Sequence, residues 1–283
     1  MYQLRPPHPD LAPSIEHYWF VTAEDGPVDI QVQVFADARA DLLFTYGVGY
    51  TRQVIGGAAT EHAASNLDAQ RLAPIRILQR GEVHLVGVRF RLGGLGPFVK
   101  HDLRRFTNRT PPPIEVFGAG ALALEADLRA LGADEAARRL DAFLLAQLQR
   151  DPRRPAFEAA LAALVASGGT ATVEEAARQA GVSVRQVDRL FARELGLAPK
   201  TVARVLRFQT ALRMLMRDPG VSLADVAMSA GYFDQPHFIR EFRRLSGGVP
   251  RGYRGYFPPD GPADFAPNVV AFVQDRRGRA GRS

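Results

Sequence analysis

An internal repeat in the second half of the chain constrains its fold more than any other feature. The first copy runs from Thr172 through Ala177 and Gly181 to Phe191 and Pro199. The second runs from Ser222 through Ala227 and Gly231 to Phe242 and Pro250. Ala177 and Ala227 are 50 residues apart, as are Gly181 and Gly231, whereas Phe191/Phe242 and Pro199/Pro250 are 51 apart. The second copy therefore carries one extra residue in its turn.

Each copy has the physics of a helix-turn-helix. Thr172-x-x-Glu175 and Ser222-x-x-Asp225 read as capping boxes that open the first helices. A small Ala follows where two helices must approach closely. Gly181 and Gly231 end those helices, where a left-handed backbone costs least without a Cβ. Ser183 and Asp234 then cap the second helices, with Gln186 three residues after Ser183. Pro236 is tolerated in a first turn, where its missing N–H has no partner to lose.

The second helices sort by face. Val187, Leu190 and Phe191 form one inward stripe, and Phe238, Phe242 and Leu245 form the other. That leaves Arg185, Gln186, Asp188 and Arg189 outward in the first, and Gln235, His237, Arg240, Arg243 and Arg244 outward in the second. Arg and Gln make paired hydrogen bonds to guanine and adenine edges in the major groove. The competing reading is a solvated face rich in Arg through codon bias, since Lys100 and Lys200 are the only lysines. Between the copies, residues 200–216 read as one helix spanning roughly 25 Å. A rigid spacer of that length suits two recognition helices about one DNA turn, ~34 Å, apart.

Charge is distributed accordingly. Residues 1–155 carry 18 basic and 18 acidic side chains, residues 156–256 carry 14 and 9, and residues 257–283 carry 4 and 3. A neutral front half joined to a +5 segment suggests a sensing or scaffolding domain attached to a polyanion-binding one.

The front half has another texture. Residues 17–22, 30–35, 41–46 and 83–91 are β-branched or aromatic runs broken by Gly, Pro and Asp, which reads as a small barrel or sandwich. From about residue 120 the pattern turns helical. Leu124, Leu128 and Leu131 make one stripe; Ala136, Leu140, Phe143, Leu144 and Leu148 make a second, available to the core or to a partner subunit. Tyr18, Trp19, Phe35, Phe44 and Tyr46 read as core aromatics, with an apolar effector pocket as the alternative. Asp151-Pro152-Arg153-Arg154-Pro155 is a stiff linker.

The expected class is α+β multidomain. Residues 1–155 form a β-barrel domain with trailing helices, for effector binding or dimerisation. Residues 156–256 form an all-α domain of seven helices with two helix-turn-helix motifs, and residues 257–283 read as a disordered basic tail.

Several chemistries are disfavoured. The chain has no Cys, which removes disulfides, thiol catalysis and Cys-held metals. His8, His17, His62, His84, His101 and His237 are scattered without metal-ligand spacing, so no metal and no cofactor is expected. Gly93-Gly94-Leu95-Gly96 lacks the Gly-Lys-Ser/Thr of a phosphate loop. No constellation supports an enzyme. No apolar run approaches the ~20 residues that span a bilayer, so a cytoplasmic setting without membrane contact is the expectation.

Residues 170–256 resemble the paired helix-turn-helix domain of the AraC/XylS family of bacterial transcription regulators. Ser183-x-Arg185-x-x-x-Arg189-Leu190-Phe191 and Gly196-Leu197-Ala198-Pro199-Lys200 carry the likeness in the first copy. Gly231-Tyr232-x-Asp234-Gln235-x-His237-Phe238-x-Arg240-x-Phe242-Arg243-Arg244 and Gly248-Val249-Pro250-x-x-Tyr253-Arg254 carry it in the second. Ile239 and Pro236 depart from the usual small polar residues, which leaves base preference open. The resemblance implies that Arg185, Arg189, Gln235 and Arg240 read bases, while Gln186, His237, Arg243 and Arg244 contact phosphates or groove edges; for His237, packing at the turn is the alternative.

The front domain resembles the cupin-like sensory domains that precede such modules, through Tyr18-Trp19, residues 35–42 and residues 86–90. That likeness covers about half of residues 1–150. Together the two imply a nucleoid-associated regulator of promoter DNA, with RNA polymerase as a partner and an unidentified small effector. A homodimer is expected from the Leu140/Phe143/Leu144/Leu148 stripe. The alternative reading is a sequence-indifferent nucleoid protein, which predicts steep salt dependence without a preferred site.

Overall fold

Alternation along the front-half strands sets which face each side chain covers. The computed structural model describes residues 2–22, 28–57, 60–255 and 269–272. One antiparallel sheet has the order β1 (Tyr2–Arg5), β2 (Ile15–Thr22), β9 (His84–Phe90), β4 (Asp41–Thr45) and β7 (Asn66–Asp68). The other has the order β10 (Val269–Phe272), β3 (Val28–Val34), β8 (Ile75–Gly81), β5 (Tyr50–Val54) and β6 (Thr60–Ala63). The four apolar runs expected as strands are β2, β3, β4 and β9. Of barrel and sandwich, the sheets realise the open arrangement: two separate five-stranded sheets that do not close on each other.

Tyr18 and Phe20 of β2, Leu42 and Phe44 of β4, and Val86, Val88 and Phe90 of β9 all point to one side. There they meet α1 (Pro113–Phe117), α2 (Gly120–Leu128) and α3 (Ala133–Gln147) through Val116, Leu124, Leu128, Leu140, Phe143 and Leu144. Leu140 and Leu144 have no exposed surface. The stripe that motivated a dimer is therefore spent inside the chain: it covers the sheet, together with Leu95, Phe98, Leu103 and Phe106 of the segment after β9.

The opposite face meets the second sheet, with Leu43 and Trp19 against Tyr50, Ala63 and Ile77. Gly87 is required here, since a Cβ would lie 2.0 Å from the Trp19 ring. Beside this small apolar patch the sheets enclose charge. Arg89 bonds Asp37 and Asp41, and Arg71 bonds Asp68. Arg71 also lies 3.8 Å from Asp37, and Arg52 lies 3.9 Å from Asp68. Three arginines and three aspartates balance, as buried ions must.

The second half comprises α4 (Arg154–Ala166), α5 (Val173–Gln179), α6 (Val184–Glu194), α7 (Pro199–Arg217), α8 (Leu223–Ser229) and α9 (Gln235–Ser246). A 3-10 turn at Pro250–Tyr253 closes it. Against the seven helices expected, six are α-helices and the seventh element is this turn. α4 starts inside the expected linker, with Pro155 in its first turn. Residues 269–272, within the stretch expected to be disordered, pair with β3 as β10; the rest of that tail lies outside the described residues.

The two halves share cores. Phe35 and Ala36, just after β3, are buried with Phe208 and Leu212 of α7, Phe242 of α9 and Tyr253 of the closing turn, the core of the second module. Ala38 is buried with Phe157 of α4 and Val187 and Phe191 of α6, the core of the first. The helical half thus receives a β-domain loop into both of its modules.

Candidate nucleic-acid interface

The two turns are built alike. At the end of α5, the Val182 N–H donates to the Ala177 carbonyl at 3.1 Å and the Gly181 N–H to the Arg178 carbonyl at 3.2 Å. At the end of α8, the Tyr232 N–H donates to Ala227 at 2.9 Å and the Gly231 N–H to Met228 at 3.0 Å. These are paired Schellman closures, with φ of +65° at Gly181 and +72° at Gly231. The identical wiring is what the matched Ala and Gly positions in the sequence encode.

The caps differ in one respect. Thr172 and Glu175 form a reciprocal capping box, and so do Ser183 and Gln186. Ser222 accepts from the Asp225 N–H at 3.0 Å, but Asp225 does not return a bond as the expected box requires. Its shorter side chain falls short of the distance that Glu175 bridges. Asp234 accepts from the His237 N–H at 2.6 Å and so opens α9.

The exposed faces follow from this framing. Val187, Leu190 and Phe191 of α6 and Phe238, Phe242 and Leu245 of α9 are buried, as their spacing predicts. Arg185, Gln186 and Arg189 on α6 are exposed, and so are Gln235, Arg240, Arg243 and Arg244 on α9. The structure shows no intramolecular side-chain partner for Arg185, Arg189 or Arg240 among the described residues. Gln186 is partly committed: its Oε1 accepts from the Ser183 N–H at 2.8 Å and the Ser183 hydroxyl at 2.9 Å. Arg244 lies 3.8 Å from Glu241. His237 is half-buried, edge-on to the Tyr232 ring with centroids 5.5 Å apart.

Sequence reasoning missed what holds α6 against the front domain. Glu194, at the end of α6, is buried and paired with Arg154 at 3.1 Å and with Arg193. Arg193 reaches Asp151 at 3.2 Å. Hydrogen bonds from the Arg153 side chain and backbone pull the Asp151 carboxyl down to about 2, so it stays charged at any physiological pH. Gly196 packs on the backbone of Leu103 and Arg104, where a Cβ would lie 2.6 Å from the Leu103 carbonyl carbon. An open cleft of about 520 Å³ runs along this contact, lined by Lys100, Arg104, Arg154, Arg189 and Arg193 among others. The signal was in the sequence as Gly196 and Glu194, but neither names its partner without the fold.

Residues 176–256 match the family described as a helix-turn-helix domain, and residues 3–112 match a domain of unknown function. The HTH-type transcriptional regulator GlxA of Rhizobium meliloti is 36% identical over 78 residues, 28% of this chain and 24% of GlxA. The HTH-type transcriptional regulator ArgR of Pseudomonas aeruginosa is 34% identical over 80 residues, with 28% and 24% covered. The chain thus spans about a quarter of the length of the curated relatives it matches. Among solved structures, a regulator with an AraC-type DNA-binding domain from Chromobacterium violaceum aligns at TM-score 0.35 and 27% identity, over 38% of this chain and 96% of its own. The family match lies on the repeat itself, where both turns are wired as a helix-turn-helix domain requires, so residues 176–256 form such a domain, similar to those of the transcriptional regulators it matches.

Proposed function

We propose that this chain is a sequence-specific transcription regulator that reads two successive major-groove segments of promoter DNA. The observation that supports it most is the pair of identically closed turns, each presenting an exposed helix face with Arg free to bond base edges. Arg185 and Arg189 on α6, then Gln235 and Arg240 on α9, are the base readers. Arg243, Arg244, His237 and the free amide of Gln186 touch phosphates or groove edges. α7, 19 residues long, sets the spacing between the two readers. The protein works on chromosomal DNA in the cytoplasm, with RNA polymerase recruited or obstructed at the promoter. A small effector acts through the β-rich domain, whose loop enters both modules. No step of this reading requires catalysis by the chain.

Selection of duplexes from a randomised library at near-physiological salt tests the proposal. Enrichment of two short elements about one helical turn apart is expected. Binding by the full chain that is steeply salt-sensitive yet enriches nothing counts against it and favours a nucleoid protein. On the selected site, Arg240→Ala costs ~1–3 kcal/mol and relaxes one position. Equal losses on every sequence remove Arg240 from the base readers.

A further inference from the structure

The extra residue of the second repeat copy is Phe233. In the first copy Val182 leads straight to the cap Ser183, whereas in the second Phe233 stands between Tyr232 and the cap Asp234. The fold does not use it. Phe233 is 92% exposed, the most exposed of the large apolar side chains among the described residues. Its neighbour Tyr232 does the packing, buried against Phe238 with ring centroids 5.2 Å apart and beneath Arg207 at 5.9 Å. A large aromatic held wholly in water at a turn is a cost without a return inside the chain.

Its position says where the return lies. Phe233 immediately precedes the cap of α9, two residues before Gln235 and on the end of the helix that enters a groove first. The polar readers on that face have hydrogen-bonding partners on every base pair, but a phenyl ring has only one apolar feature to meet there, the C5-methyl of thymine. We propose that Phe233 is a specificity-determining residue that contacts a thymine methyl at the leading edge of α9. The inference rests on the reading of α9 as a groove helix. It assigns the second module an apolar element of readout that the first, lacking the insertion, does not have.

The test uses the full chain and its selected duplex, with each thymine in turn replaced by deoxyuridine, which keeps the hydrogen-bonding edge and removes only the methyl. Binding is followed by fluorescence anisotropy at fixed salt. One replacement under α9 weakens wild-type binding about fourfold, the worth of burying one methyl group. The Phe233→Ala variant binds the unmodified duplex about fourfold more weakly and is indifferent to that same replacement. Its melting temperature stays at the wild-type value, because the side chain is almost wholly exposed.

Two results overturn the proposal. In the first, Phe233→Ala loses affinity equally at every deoxyuridine position, which places the ring on the sugar–phosphate backbone. Alternatively, Phe233→Ala and Met228→Ala both keep wild-type DNA affinity but lose regulated transcription with purified polymerase, which assigns the exposed pair to that partner; Met228, 74% exposed, lies in the last turn of α8. Arg240→Ala and Gln235→Ala serve as controls. If both retain site-specific affinity, the reading of α9 itself fails, whatever Phe233 does.

Discussion

At the residue scale, two glycines in matched positions have unequal duties. Both hold positive φ to close a helix. Around Gly181 a Cβ meets nothing within 4 Å, whereas at Gly231 it would lie 2.6 Å from the Thr170 side chain and 3.5 Å from Arg207. Gly181→Ala therefore costs only the left-handed strain, ~1–2 kcal/mol. Gly231→Ala costs that plus the displacement of Thr170, so its urea midpoint falls further. Equal midpoints for the two variants would refute the asymmetry.

Asp37 makes a sharper case at the same scale. Burial pushes its carboxyl up, but Arg89, Arg71 and Arg39 outweigh burial and hold it below the ordinary carboxylate range. A group lowered on folding contributes fully above its unfolded value, ~3.9, and loses that contribution as pH falls through its lower folded value. Asp37→Asn leaves Arg89 and Arg71 under-compensated in a closed space, a loss of ~3–5 kcal/mol for a broken buried pair. Urea unfolding at pH 7 should show that gap, and it should narrow in acid below the ordinary carboxylate range. A gap that is constant with pH would mean the charge of Asp37 is not what stabilises.

At the element scale, the helices of the repeat were legible because each boundary is chemical. Caps, closing glycines and first-turn prolines are local signals, and the burial of Val187, Phe191, Phe238 and Phe242 follows from period alone. The exposed reader faces were legible as the complement of those stripes. The front domain was less so. β5, β6 and β7 have only five, four and three residues, and the sheet interior carries Arg52, Asp68 and Arg71 where alternation favours apolar residues, so polarity hid strands that ion pairing permits. What the helix stripes of α2 and α3 would cover was likewise open until β9 and β4 presented their faces. Reciprocity of a capping box was legible for Glu175 and not for Asp225, since one methylene decides it.

The same caps yield a prediction about elements. Ser183→Ala removes a reciprocal box from α6 and should cost ~1 kcal/mol of stability. It also releases the Gln186 side chain from its local bonds, so Ser183→Ala changes DNA affinity where Ser222→Ala, remote from any reader, leaves it alone. Hydrogen exchange of the first turn of α6, set beside binding to the selected duplex, separates the two effects. Unchanged exchange in Ser183→Ala would mean that the box contributes nothing to the helix start.

At the scale of the whole molecule, one loop decides whether the chain behaves as two domains or one. Phe35 meets Phe208 edge-on at 6.1 Å and Tyr253 at 5.3 Å. The Gln209 amide donates to the Ala36 carbonyl at 2.8 Å, and the Gln33 amide donates to the Ser246 carbonyl at 2.6 Å and the Tyr253 hydroxyl at 3.0 Å. Two residues on, Asp37 is anchored in the ionic cluster between the sheets. Ala38, at a φ of +56°, then enters the core of the other module. A displacement of the sheets is thus carried by Asp37 to a segment that both modules grip, and α7 lies between them.

Interfaces between domains in one chain are ordinarily polar and loosely coupled, but a shared apolar core makes unfolding cooperative. Calorimetry of the wild type should therefore show a single transition across both halves. Phe35→Ala removes a fully buried ring, a loss of ~3–5 kcal/mol, and removes it from the junction rather than from either domain's own core. The expected outcome is two separated transitions, the helical half melting first because its second module loses both Phe35 contacts. Affinity for the selected duplex should fall more than affinity for a duplex carrying only the element read by α6, because relaxed modules no longer hold α6 and α9 at one spacing. A single transition at lower temperature, with both duplexes affected alike, would show that Phe35 is an ordinary core residue and that the loop couples nothing.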